Sequence, residues 1–234
     1  MNKQEWILNK LYNHISENKQ NLFEEIILNR TRYVTVVLEN LFQPHNAAAV
    51  LRSCDCFGIQ DVHVIENENK YEPNKEIDMG SSKWIDLYKY NAEENNTVST
   101  INHLKNIGYK IAATTPHTND CLIDELPLEQ PTALLFGTEA TGLTQEALDH
   151  ADTFVKLPMY GFTESYNISV SVALSLFSVT QSIRQNSKIN WHLTPEEQLE
   201  IKLKWVRKVL KSSPQIEKLL EDQYANDFPD HQSS

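Results

Sequence analysis

Apolar residues in the first thirty positions recur at helical spacing: Ile7, Leu8, Leu11 and Ile15, then Leu22, Phe23, Ile26 and Ile27. They predict helices over residues 1–30. The period then shortens. Val34-Thr35-Val36-Val37-Leu38 is rich in β-branched residues and predicts a buried strand. An alanine-rich helix starts at Pro44 and runs through Arg52, with Gly58 placed to stop it and Val62-His63-Val64-Ile65 as the next strand. Strand, helix and strand in that order are the unit of a parallel sheet. The pattern repeats with a strand over Trp84–Tyr90, a helix over Val98–Asn106 ended by Gly108, and a strand over Tyr109–Thr114 leading into a loop through Pro116 and His117. Ala133-Leu134-Leu135-Phe136 is apolar throughout, as a strand covered on both faces must be. A short helix over Thr144–His150 capped by Thr144, a last strand over Phe154–Pro158 and a long apolar helix over Asn167–Ile183 follow. Trp191–Leu210 is charged and helical, its start marked by Thr194-Pro195-Glu196-Glu197, and the polar end Ala225–Ser234 is expected to fray.

These elements predict an α/β protein with a parallel sheet over 31–188 and helical extensions over 1–30 and 189–234. No apolar run approaches the roughly 18 residues of a transmembrane helix, and the first ten residues lack the apolar core of a signal peptide. A cytoplasmic protein is expected, without membrane attachment. The three cysteines, Cys54, Cys56 and Cys121, are too sparse for a disulfide scaffold. On a helix the thiols of Cys54 and Cys56 point about 200° apart, so the pair cannot chelate a metal. The eight histidines are scattered without ligand spacing, so no metal is expected. A net charge of −11 excludes a uniformly basic nucleic-acid binder and leaves room for a local basic patch.

Three segments carry candidate chemistry. Glu39-Asn40-Leu41-Phe42-Gln43-Pro44-His45-Asn46, running into Arg52, lies where a strand gives way to a helix, the ligand edge of an open α/β sheet. Asn46 reads as a helix cap or a site residue, and Arg52 as a surface ion pair or a site residue. The two are about 240° apart on a helix, so they share a site only if Asn46 sits at the helix start. Phe136-Gly137-Thr138-Glu139-Ala140-Thr141-Gly142-Leu143-Thr144 has the glycine spacing of a phosphate loop, but Leu143 stands where that loop needs lysine, which excludes nucleoside triphosphate hydrolysis. A plain turn and a loop that brings backbone amides to a ligand both remain open. In Leu157–Val170, Ser165 and Asn167 can each cap the following helix, which leaves one of them for another partner. Neither a G-x-G-x-x-G fingerprint nor a G-x-S-x-G elbow is present.

Together these stretches resemble the tRNA (guanosine-2′-O-)-methyltransferases of the SPOUT superfamily, the TrmH-like group. The matching residues are Thr35–Asn40 with Pro44-His45-Asn46 and Arg52, then Phe136-Gly137-Thr138-Glu139 with Gly142, then Leu157-Pro158-Met159 with Ser165, Asn167, Ser169 and Val170. Gly80-Ser81-Ser82-Lys83-Trp84 and the tail from Trp191 to Trp205 resemble flanking features of the same group. The resemblance implies a SPOUT fold with a C-terminal trefoil knot, a homodimer completing each active site across its interface, and S-adenosyl-L-methionine as methyl donor. It implies Arg52 as the catalytic arginine, with Asn46, Glu139, Ser165 and Asn167 around it. Thr115, Gly137, Leu157, Met159, Ser165 and Ile168 would bind the donor. The substrate implied is tRNA, methylated on the ribose of guanosine 18 in the D-loop. A ribosomal RNA ribose methyltransferase and a non-catalytic RNA-binding protein of the same fold are the alternatives. Relatives of the ribosomal kind often carry an N-terminal RNA-binding domain, for which the 33 residues before the first strand leave no room.

Arginine, with a pKa of about 12 or above, is an awkward general base, so Arg52 is expected to stabilise developing negative charge instead. For RNA contact, Lys202, Lys204, Arg207, Lys208 and Lys211 cluster around Trp205, with Lys204, Lys208 and Lys211 on one helical face. Arg30, Arg32 and Lys83 would extend that patch. The other reading of the cluster is a solvated charged face.

Overall fold

The computed structural model describes residues 2–41, 43–70, 80–116 and 121–227; Phe42, His117 and residues 228–234 of the sequence reading lie outside them. Two helices open the chain, α1 (Lys3–Tyr12) and α2 (Glu17–Ile27). The sheet elements follow as β1 (Val34–Glu39), α3 (Pro44–Cys56), β2 (Asp61–Ile65), β3 (Asp86–Tyr90), α4 (Thr97–Asn106), β4 (Lys110–Thr114), β5 (Cys121–Leu122), β6 (Thr132–Phe136), α5 (Gln145–Asp149), β7 (Thr153–Lys156) and α6 (Ile168–Gln185). Helices α7 (Pro195–Val209) and α8 (Ser213–Asp227) close the chain. Two compact units result, Thr31–Trp191 and, from the two ends, Met1–Arg30 with His192–Ser234.

In the sheet unit seven strands run in the order β3-β2-β1-β6-β4-β7-β5, and every neighbouring pair is parallel. Side chains alternate across the two faces. Val34, Val36 and Leu38 of β1, with Leu134 and Phe136 of β6, pack on α3 and α6; Val37, Ala133 and Leu135 face α4 and α5. A sheet covered on both sides explains the uninterrupted apolar runs of the central strands. Because all strands are parallel, the carboxyl ends of β1, β4, β6 and β7 open on one edge.

Helix limits follow local chemistry. Thr144 caps α5 by accepting from the Ala147 amide, and Thr194 with Glu197 forms a reciprocal box at the start of α7. The strand predicted from Trp84 begins later, at Asp86, after a 3-10 turn over Ser81–Lys83. The two-residue β5 was not expected from the sequence; α8 lies inside the helical extension expected over 189–234 without bounds of its own, and includes residues 225–227 of the stretch expected to fray.

In the helical unit α7 packs on α1 and α2, with Trp205 against Phe23 at 5.4 Å between ring centroids. Among the described residues no group of three or more His, Cys, Asp or Glu could hold a metal ion, and no helix is long and apolar enough to cross a membrane. The three cysteines are free thiols.

A buried histidine makes the sheet sensitive to pH. His63 on β2 stacks on Tyr88 at 4.9 Å and places Nδ1 2.9 Å from the Tyr90 hydroxyl, while Nε2 has no hydrogen-bond partner among the described residues. Burial, and secondarily the nearby His103, push its pKa down from 6.5 to about 4. The unfolded chain therefore takes up a proton near pH 6.5 that the folded chain refuses until about pH 4. This contribution is fully present above the unfolded value and is lost as pH falls through that window, by up to about 3 kcal/mol. Denaturant titrations of the wild-type chain and His63→Phe should diverge below pH 6.5, the variant losing less stability; parallel curves would show that His63 is not the source.

Candidate active site

The carboxyl ends of β4, β6 and β7 and the start of α6 enclose a cleft of about 390 Å³. Its walls come from Thr114 and Thr115 after β4, the loop Gly137–Leu143 after β6, Leu157 and Met159 after β7, and Ser165, Ile168, Ser171 and Ser175 at α6. Ile123, Phe136, Leu148 and Val155 make an apolar interior, and Glu139 and Glu164 add carboxylates. All six donor-contact residues named from the sequence line this one cleft: Thr115, Gly137, Leu157, Met159, Ser165 and Ile168.

The loop after β6 closes on itself. Thr138 and Gly142 exchange backbone hydrogen bonds at 3.1 Å each way, with Gly142 at φ +72. A side chain on Gly137 would run into the Gly142 carbonyl and the Leu143 amide, so this position admits only glycine. The glycine spacing thus reflects a tight backbone return rather than a phosphate cradle.

A polar relay ties this loop to two others. Asn46, 7% exposed, lies in the first turn of α3 and is not its cap, since Gln43 holds that position. Its Nδ2 donates to Gln43 Oε1 at 3.1 Å and to the Glu139 carboxylate, and its Oδ1 accepts from Asn167 Nδ2 at 3.1 Å. Asn167 also caps α6, its Oδ1 accepting from the amide and hydroxyl of Ser169 at 3.0 and 2.6 Å. The choice between two caps is resolved: Asn167 takes the helix, and Ser165 remains at the cleft wall. A bond to a carboxylate is among the stronger neutral-donor hydrogen bonds, worth roughly 1.5–3 kcal/mol.

Arg52 stands elsewhere. It lies on the outward face of α3 with His45 and Cys56, exposed and without an ion pair among the described residues. The fold brings Asn46, Glu139, Ser165 and Asn167 together and leaves Arg52 outside the cleft lining of its own chain.

The expected RNA-contact set divides. Lys83, Arg207, Lys208 and Lys211 are exposed, and Lys204 is half-buried. Lys204 pairs with Glu200 at 2.8 Å, and Arg207 holds Glu217 through two hydrogen bonds that raise its pKa. Three side chains named with that set are packed or paired within the fold. Arg30 is 2% exposed with its guanidinium 5.4 Å from the Trp205 ring, and Trp205 is equally buried, so both belong to the packing of the helical unit. Arg32 is bound to Asp61 and Asp86 at 3.1 and 3.2 Å. Burying Trp205 releases a large apolar area from water, which outweighs anything an exposed ring would gain.

Sequence reasoning gave no role to Glu39, which anchors the site from below. Its carboxylate, 1% exposed, accepts from the hydroxyls of Thr97 and Thr144 at 2.7 Å each and from the Thr144 amide at 2.9 Å. It pins the end of the Gly137–Thr144 loop and the start of α4 to the end of β1. An acid directly after a strand read as buried was the available signal.

Comparison with known proteins places these features in a family. Residues 33–177 match the SpoU rRNA Methylase family. The tRNA (guanosine(18)-2'-O)-methyltransferase of Borreliella burgdorferi is 42% identical over 206 residues, covering 88% of this chain and 92% of that protein. Its counterpart from Thermus thermophilus is 32% identical over 82% of this chain and 98% of that protein. The crystal structure of the A. aeolicus TrmH/SpoU tRNA modifying enzyme aligns with a TM-score of 0.74 at 28% identity, over 83% of this chain and 98% of that one.

Replacing Glu39 by Gln puts an amide N–H against two hydroxyl donors and an amide. The expected loss is about 1–3 kcal/mol of unfolding free energy with faster hydrogen exchange at the Thr144 amide; unchanged exchange at Thr144 would remove Glu39 from the support of the loop.

Proposed function

The chain belongs to the SpoU rRNA Methylase family, and from that premise we propose that it methylates the ribose 2′-hydroxyl of guanosine 18 in tRNA with S-adenosylmethionine as donor. The observation that carries this reading is the cleft at the carboxyl edge of the sheet, joined by Asn46 to the helix that bears Arg52. Its 390 Å³ lies within the roughly 300–1,000 Å³ of small-molecule sites. The residues suit this donor: an apolar interior for a planar ring, backbone brought close by Gly137, and carboxylates at Glu139 and Glu164 for a cation.

When bound, the donor supplies a methyl group on a positively charged sulfur; the ribose oxygen forms the new bond as the carbon–sulfur bond breaks, and the sulfur keeps the electron pair. The hydroxyl proton leaves to solvent or a neighbouring phosphate. Asn46, Glu139, Ser165 and Asn167 hold the loops and the ribose in register, and Arg52 stabilises the developing negative oxygen.

An outward-facing Arg52 fits a homodimer in which each cleft is completed by the other copy. The open face of α6 supports this: Val170, Leu174 and Phe177 form one apolar stripe, Phe177 being 58% exposed, with Phe57 beside it at 6.5 Å. The insertion of β6 between β1 and β4, and of β7 between β4 and β5, supports a C-terminal trefoil knot in the sheet unit. Lys83, Lys204, Arg207, Lys208 and Lys211 are the basic side chains proposed to meet tRNA phosphates, and the reaction belongs in the cytoplasm. The terminal helices and the sheet domain would act as extension and catalytic domain respectively. A ribosomal RNA substrate is the second reading, favoured by the family's description; the relatives at 42% and 32% identity are tRNA enzymes.

Purified protein with labelled donor should methylate unmodified tRNA transcripts at one D-loop guanosine and leave ribosomal RNA transcripts unmodified, and it should sediment as a dimer. Arg52→Ala should reduce transfer about 10²–10³-fold with little change in donor affinity. Labelled ribosomal RNA would replace the substrate assignment, near-normal turnover of Arg52→Ala would remove its role, and an active monomer would end the shared-site arrangement.

A further inference from the structure

Two hydroxyls of α6 bond back onto their own helix. Thr180 donates to the Leu176 carbonyl at 2.6 Å and Ser182 to the Ser178 carbonyl at 3.0 Å, the bond one turn back that helical serine and threonine make when no other acceptor is in reach. Ser175 does neither. It is 1% exposed, and its Oγ has no hydrogen-bond partner among the described residues. A buried hydroxyl left in this state is destabilising, and alanine would avoid that cost in the same space.

Ser175 also belongs to the wall that α6 presents to the cleft, with Ile168 and Ser171. The spacing of these residues puts them on one helical face. At about 1.5 Å per residue Ser175 lies roughly 10 Å further along α6 than Ile168, and so beyond the relay at the helix start. Ile123, Phe136 and Val155 supply apolar wall there, and α6 packs on the turn Ile123–Glu125. Charged ends of a ligand are costly among such groups and suit the Glu139 and Glu164 carboxylates instead. A flat heteroaromatic ring with its attached sugar suits the apolar part, since it fills the space and offers one or two polar atoms.

We propose that the Ser175 hydroxyl is a recognition group for the nucleoside half of the methyl donor, forming in the loaded cleft the hydrogen bond it lacks in the free protein. A serine hydroxyl can donate to a ring nitrogen or accept from an exocyclic amino group, so it fits a purine edge in either sense. The inference rests on the donor reading of the cleft given above. It assigns to one side chain a selectivity that backbone contacts do not supply: a hydroxyl that finds its partner only in the correct ligand discriminates against a ring lacking that atom.

Calorimetric titration of the full chain and of Ser175→Ala with S-adenosylhomocysteine and with 5′-methylthioadenosine tests this, alongside thermal melts without ligand. The expected result is a loss of about tenfold in affinity for both compounds, equal because both carry the nucleoside, while the unliganded variant melts at the same temperature or higher. Unchanged affinities, a loss confined to S-adenosylhomocysteine, or a lower melting temperature with unchanged binding would each overturn the assignment. If the wild-type chain takes up neither compound, the donor reading of the cleft itself fails, an outcome separate from any effect of the substitution.

Discussion

The carboxamide of Asn46 joins three loops that lie far apart in the chain. Its partners Glu139 and Asn167 are 93 and 121 residues away, yet one amide donates to the first and accepts from the second. A parallel sheet makes this possible, because the carboxyl ends of β1, β4, β6 and β7 all emerge on one edge. Below the relay, Glu39 ties the end of β1 to Thr97 and Thr144. The cleft is therefore braced on two levels by polar groups that are largely buried, and its shape depends on their being satisfied together.

Such bracing explains how short, scattered motifs come to line one cleft. Gly137 is required by a loop that returns onto its own backbone, and Asn167 by the start of α6. Each residue has a local structural task and, in the proposed reading, a task in the cleft. Arg52 differs, because α3 holds it on the outward face where only a second molecule or the substrate can meet it.

Most strands and helices were legible from period and punctuation. Val34–Leu38, Ala133–Phe136 and the caps at Thr144 and Thr194 appear where local chemistry demands them. The cleft residues were legible through resemblance, and their convergence needed the strand order. The surface of the helical unit was less so: the spacing that put Trp205 among lysines also put it among Leu199, Leu203 and Val206, and apolar burial decided its side. Arg30 follows Trp205 inward because its guanidinium rests against the ring, 5.4 Å from the centroid. Neither Glu39 nor Ser175 could be assigned before its neighbours were known, since what marks each is the presence or absence of partners distant in sequence.

The relay is tested most directly by a double-mutant cycle on single-turnover methyl transfer to tRNA, using Asn46→Ala, Asn167→Ala and the combination. If the two side chains act as one brace, the double variant should be little slower than the slower single variant, with a coupling above about 1 kcal/mol. Losses that simply multiply would show that Asn46 and Asn167 act independently and would contradict the account.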